Sequence, residues 1–157
     1  MDIQESSQVH TLIKNKALDF LTRREYAAVE LSERLAMRFK EHQNIIDVVI
    51  EDLQKQGLQS DHRFSEVLIR HRAQGGYGRA RIAHELMSRG VDSSIIEMAL
   101  EEAEIDFDAI ALGQYKKHFK NKPIENVTTK QKHIAYLKGR GFDFSQIQRV
   151  LKVSLEE

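Results

Sequence analysis

The side chains of this sequence best equipped for recognition chemistry are basic, and they fall in two groups. Arg70, Arg72, Arg79 and Arg81 bracket a glycine-rich stretch, and Lys116, Lys117, Lys120, Lys122, Lys130 and Lys132 crowd a later one. A guanidinium offers a planar, two-pronged donor to carboxylates and phosphates, whereas an ammonium is a less specific point charge. Protein carboxylates and nucleic-acid phosphates both fit, and the residue types leave that choice open.

Catalytic chemistry is poorly provided for. His10, His42, His62, His71, His84, His118 and His133 include no i, i+4 pair of the kind that holds a metal on one helix face. No cysteine is present, which excludes disulfides, thiol catalysis and thiolate ligands. His71 and His133 stand at helical positions and read as partly buried structural residues. Gly75-Gly76-Tyr77-Gly78 resembles a phosphate loop superficially, yet it lacks the lysine-serine pair and the preceding strand such a loop needs. A helix–helix turn is the better reading, with Tyr77 and its counterpart Tyr26 packing the hairpin. The expectation is a binding protein rather than an enzyme, with no metal and no cofactor.

The elements that position these residues are helical. Gly78 can cap a helix whose apolar face is Ile82, Ala83 and Leu86, and Arg89-Gly90 closes it where a helix terminus favours a cation and a glycine. Before it runs a helix from Phe64 to about Ala73, with Phe64, Val67, Leu68 and His71 at i, i+3, i+4, i+7. After it, Asp92 or Ser93 starts a third helix bearing Ile95, Ile96, Ala99 and Leu100. The same grammar predicts helices near 28–39, 43–56, 108–120 and 145–153, and another capped by Thr128 or Thr129. A first helix carries Leu12, Ile13, Ala17, Phe20 and Leu21, and the polar residues 1–9 are expected to form a flexible tail. Strand signals are weak throughout, so the predicted class is all-α.

A period unites these helices. Leu35, Leu86 and Leu137 stand 51 residues apart, as do Ile13, Phe64 and Tyr115, and Arg38, Arg89 and Arg140. Ala27, Gly78 and Thr129 share the cap position, and Gly90-Val91-Asp92 matches Gly141-Phe142-Asp143. Agreement at cap, turn and core positions together marks an internal repeat. The expected organisation is three tandem three-helix, helix-turn-helix-like repeats over 10–60, 61–107 and 108–157, stacked into an elongated, curved body. Such repeats are often monomers.

Charge sharpens this picture. The 24 basic and 24 acidic residues cancel, which argues against a generic polyanion binder. Their distribution is uneven. Between Arg89 and Lys116 every charge is acidic, whereas from Lys116 to Lys152 ten cations face only Glu125 and Asp143. An uneven field of this kind orients a molecule on a charged partner. No run of eighteen apolar residues and no leader-like segment is apparent, so the expectation is a cytosolic protein with no membrane span.

The motif residues resemble a known family. Gly57-Leu58, Asp61 and Phe64, then Gly76-Tyr77-Gly78, then Ile82, Glu85-Leu86, Gly90-Val91-Asp92, Ile96 and Ala99-Leu100 look like the RecX family of bacterial recombinase regulators. Ala17-Leu18, Leu21, Arg24-Glu25-Tyr26, Glu30-Leu31 and Leu35 resemble that family's first repeat, and Lys138, Gly141-Phe142 and Ile147 its third. Two departures stand out: Ala27 where a capping serine is usual, and Phe39 beside the place of a customary glycine. The resemblance implies a non-enzymatic regulator of the RecA recombinase. Such proteins bind in the helical groove of the RecA–DNA filament, block its extension, and depress ATP hydrolysis, strand exchange and co-protease activity, with roles in recombination and the SOS response. Some also bind DNA directly, and a helical-repeat DNA-binding protein is the competing reading of the residues themselves.

Overall fold

The computed structural model describes residues 2–120 and 122–156. Among the described residues every regular element is a helix: α1 (Ile3–Arg23), α2 (Ala28–Arg38), α3 (Gln43–Lys55), α4 (Asp61–Gln74), α5 (Arg79–Ser88), α6 (Ser93–Ala103), α7 (Phe107–Phe119), α8 (Val127–Gly139) and α9 (Phe144–Glu156). Two compact units are present. One joins the chain up to Val67 to Met87–Ile96, and the other joins Leu68–Leu86 to the chain from Glu97 onward.

In the first unit the apolar stripes of three helices meet. Ile13 and Ala17 of α1, Leu31 and Leu35 of α2, and Ile46, Val49, Ile50 and Leu53 of α3 close one core, with Tyr26 of the α1–α2 turn beside them. Each fully buried Leu or Ile contributes roughly 1.5–3 kcal/mol from area removed from water, so these three helices form as a unit rather than singly. The second unit contains an equivalent core of Ala111, Tyr115, Leu137, Phe142, Ile147, Val150 and Leu151. Leu35 and Leu137 are thus core residues at the shared period, as the sequence predicts.

Several boundaries differ from the sequence reading. Residues 3–9 are helical rather than a tail: α1 begins at Ile3, because the Asp2 carboxylate accepts the Glu5 amide at 2.7 Å and no breaker intervenes. Neither Thr128 nor Thr129 caps α8; Asn126 does, accepting the Thr129 amide at 2.8 Å. The α4 helix starts three residues early, where Ser60 Oγ accepts the Arg63 amide at 3.1 Å. Its buried positions are Phe64, Ser65, Ile69 and Ala73, whereas Val67 and His71 are exposed. Ser65 tolerates burial because its hydroxyl donates to the Asp61 carbonyl at 2.7 Å.

His133, by contrast, is buried as expected. Burial raises the Tyr115 phenol above its ordinary range, and its hydroxyl is hydrogen-bonded to His133 Nδ1 at 2.6 Å. The imidazole stacks on Phe119 at 3.7 Å between ring centroids. Burial first, and the nearby His118 charge second, push the His133 pKa below the ordinary histidine value. Proton uptake is consequently easier in the unfolded chain than in the folded one. Stability from this group is complete above about pH 6.5 and is lost as pH falls through the lower folded value. Melting curves at pH 7.5 and pH 5 should show a drop of a few degrees that is reduced in His133→Phe. An unchanged pH dependence in that variant would move the titration elsewhere.

Candidate partner-binding surface

The two helix–helix joints around the glycine turns are built alike. In the first unit the α2 N-terminus has no side-chain cap of its own, since Ala27 cannot supply one. The Asp61 carboxylate accepts the Ala28 amide instead, at 2.8 Å. Gln59, fully buried, steadies that contact by donating to Asp61 Oδ1 at 3.0 Å and to the Tyr26 carbonyl at 2.9 Å. Ala27 in place of a serine is therefore compensated by an acceptor from a later helix. Nothing in the local sequence around Gln59 signalled this role, because the Tyr26 carbonyl it holds is 33 residues away.

The second unit solves the same problem with backbone. Gly78 has no side chain to cap α5, and carbonyls of the α8–α9 turn take over: Gly78 N donates to Arg140 O at 2.7 Å and Ala80 N to Gly141 O at 3.2 Å. Such close approach requires glycine on both sides. A Cβ on Gly78 would stand 2.5 Å from the Gly141 carbonyl carbon, and one on Gly141 would stand 2.5 Å from Arg81 Cβ. Arg140 also donates to the carbonyls of Gly75 and Gly76, with its guanidinium 3.9 Å from the Tyr77 ring centroid. The matching residue in the first unit, Arg89, reaches Glu30 at 3.0 Å, and Gly90 there faces Val29. Arg63 pairs with Glu25 where, 51 residues on, Gln114 lies against Gly76.

This geometry decides the glycine-turn question. The amides of Gly75, Gly76, Tyr77 and Gly78 donate to His71, Ala73, Arg72 and Arg140 carbonyls respectively. Every amide of the turn is spent on the fold, which leaves none to cradle a phosphate. It is a helix–helix joint.

The arginines are largely committed too. Arg72 holds Glu85 in a two-pronged pair (2.7 and 3.0 Å), tying α4 to α5 and raising the already high Arg72 pKa through that hydrogen bond. Arg79 bridges α5 to α6 through Glu97 at 2.8 Å and Glu101 at 3.4 Å. Arg81 donates to the Gly139 carbonyl at 3.1 Å and lies over the Tyr77 ring at 4.3 Å. Arg70 alone of the four is exposed and outside any ion pair or hydrogen bond among the described residues. A charge reversal at Arg79 would place a third carboxylate beside Glu97 and Glu101, so it would report on stability as much as on binding.

The lysines are differently placed. Lys116 and Lys117 occupy the last turn of α7, and Lys120 follows as its left-handed cap with φ 49°. Lys122 lies in the connector, and Lys130 and Lys132 on α8; all six are exposed. Lys117, Lys120, Lys122, Lys130 and Lys132 enter no ion pair among the described residues, and the Asp108 carboxylate, at the opposite end of α7 from Lys117, is held by Arg149 at 2.9 and 3.1 Å, which lowers its pKa below the usual carboxylate range. The first turn of α8 carries no acidic residue either. The result is a surface on the second unit where five of these exposed lysines stand outside any ion pair among the described residues, able to receive anionic groups.

Comparison with known proteins places this architecture. Residues 60–100 match the family model for RecX, second three-helix domain, and residues 104–151 that for RecX, third three-helix domain. The chain belongs to the RecX family. A regulatory protein RecX of Pseudomonas entomophila is 33% identical over 139 residues, covering 88% of this chain and 89% of that protein. Its counterpart in Legionella pneumophila (strain Corby) is 36% identical over 138 residues, covering 88% and 91%. Among solved structures, RecX from Lactobacillus salivarius superposes with a TM-score of 0.84 at 19% identity, over 96% of this chain and 99% of that one. That likeness is one of fold: an all-α helical repeat. The two RecX domains matched contain the residues of the second joint, from Gly76, Tyr77 and Gly78 to Arg140 and Gly141. No helix among the described residues is long and apolar enough to cross a membrane.

Proposed function

We propose that this RecX-family protein is a regulator that binds the RecA–DNA filament in its helical groove. There it inhibits filament extension, ATP hydrolysis, strand exchange and co-protease activity, and so modulates recombination and the SOS response. The observation that carries this reading is the repeated joint. One device, renewed every 51 residues, makes a body of quasi-equivalent segments suited to a partner that is itself a helical polymer. A body touching successive protomers gains avidity at each further protomer, and by favouring one inter-protomer geometry it shifts the filament between states. The six lysines, rather than the paired Arg72 and Arg79, supply the electrostatic attraction. The protein acts as a cytoplasmic monomer, without catalysis and without a cofactor.

A second reading rests on those same lysines: direct binding to DNA, with inhibition by competition for template. One experiment separates the two. RecA-catalysed ATP hydrolysis on single-stranded DNA is followed while this protein is added, far below the recombinase concentration, to filaments already formed. Inhibition at amounts too small to coat the DNA is expected. Inhibition appearing only at concentrations that saturate naked DNA, and vanishing steeply with salt, would establish the competitor instead. No effect at any concentration would sink both.

A further inference from the structure

Between α8 and α9 the second unit carries an open groove of about 520 Å³. Ile147 and Leu151, both nearly fully buried, form its floor with Ile134, while Phe144 and Leu155 stand up as lips, 62% and 74% exposed. Lys130 and Lys152 line its rim. One repeat earlier, 51 residues back, the equivalent rim positions are Arg79, Glu97 and Glu101, and there the ion pairs of Arg79 tie α5 to α6. At the matching third-repeat positions the acidic partners have become Gln148 and Lys152. Lys130 therefore meets no carboxylate among the described residues, and a second cation, Lys152, lines the same groove. The lips change in the same sense: Ser93 becomes Phe144 and Glu104 becomes Leu155. A surface latched and polar in one copy is unlatched, apolar and rimmed by cations in the next.

We infer that the α8–α9 groove is a docking site for an amphipathic acidic segment of a partner protein. Apolar side chains of that segment would enter over Ile147 and Leu151, and flanking carboxylates would pair with Lys130 and Lys152. Charge complementarity selects this occupant. Lysines on the rim of an apolar trough favour a peptide that carries both aliphatic anchors and carboxylates, whereas a sugar-phosphate backbone has no aliphatic side chains to fill the floor. A basic or purely apolar segment would leave two ammonium groups crowded or desolvated without partners. The proposal does not require RecA to be the partner, and a failed ATPase experiment would leave it standing.

The test uses the full chain and three fluorescent synthetic probes. One is a helical peptide of Leu, Ala and Glu with leucines at i, i+3, i+4 and i+7, the second replaces every Glu by Lys, and the third is an oligothymidylate. The Glu peptide should bind at least about tenfold tighter than the Lys peptide. In methyl spectra it should perturb Ile134, Ile147 and Leu151. The double variant Lys130→Glu/Lys152→Glu should reverse the preference between the peptides. Gln148→Glu/Lys152→Glu, which rebuilds the latch of the preceding repeat around Lys130, should weaken the Glu peptide by about tenfold with helicity unchanged. Equal binding of the two peptides, perturbation confined to other methyl groups, no detectable binding, or tighter occupation of the same groove by the oligothymidylate would each overturn the assignment.

Discussion

Replacing Gly141 with alanine lowers the stability of the protein by about 3 kcal/mol, the largest single effect expected from removing or adding so few atoms. The backbone there has φ +101°, a conformation that side-chain-bearing residues rarely adopt. The added methyl would also stand 2.5 Å from Arg81 Cβ and 2.7 Å from Arg81 N, atoms held by a helix backbone that cannot swing aside. Relief requires the α8–α9 turn to back away from α5, and that movement breaks the bonds from Gly78 N to Arg140 O and from Ala80 N to Gly141 O. Two amides at the start of α5 are then left without acceptors. Gly90→Ala, with φ +83°, meets the Val29 side chain, its Cβ at 2.7 Å included, but no backbone atom, and should cost less. Gly113→Ala is the opposite control. It lies inside α7 with nothing within 4 Å of a new Cβ, and should stabilise by roughly 0.5–1 kcal/mol. Urea denaturation of the three variants ranks them. A Gly141 variant no less stable than the Gly90 variant would show that the joint gives way cheaply.

Much of this architecture was legible in the sequence because its causes are local or periodic. The spacing of Leu35, Leu86 and Leu137 reports a buried stripe renewed in each copy, and helices stop at Gly90 and Gly141 for reasons of backbone geometry alone. The early start of α1 was legible in principle, since Asp2 and Glu5 stand at cap spacing, but the polar composition that follows reads as frayed. The α4 face went astray by one register because Ser65 is buried through a bond to its own helix, and a serine does not advertise burial. The arginines were illegible for another reason. Arg72 and Glu85 are 13 residues apart and Arg79 and Glu97 are 18 apart, so only the folded chain reveals that they neutralise one another. For the lysines absence was informative: a stretch whose only carboxylates are Glu125 and Asp143 offers few partners to its own ten cations. The same reasoning finds the groove, once the Arg79 latch is known and its third-repeat counterpart is seen to lack acid.

That asymmetry between paired and unpaired cations sets the second large effect. The fourfold variant Lys117→Glu/Lys120→Glu/Lys122→Glu/Lys132→Glu should weaken association with the RecA–DNA filament by about a hundredfold. The figure follows from roughly 0.7 kcal/mol for each exposed ion pair with the partner that is removed, four times over. All four side chains are exposed, so the circular dichroism and melting temperature should stay near those of the parent. Arg72→Glu makes the contrast. It destroys a two-pronged pair to Glu85 between α4 and α5, and should lower stability measurably. Salt dependence tells which anions the lysines meet. If they meet phosphates, the slope of log affinity against log salt should fall by about one for each lysine replaced, four in all. If they meet protein carboxylates, affinity should drop with little counterion release from DNA and a much shallower change of slope. Inhibition unchanged in the fourfold variant would take the lysine surface out of the mechanism. It would leave Arg70, the one exposed and unpaired member of the arginine group among the described residues, as the cation to test next.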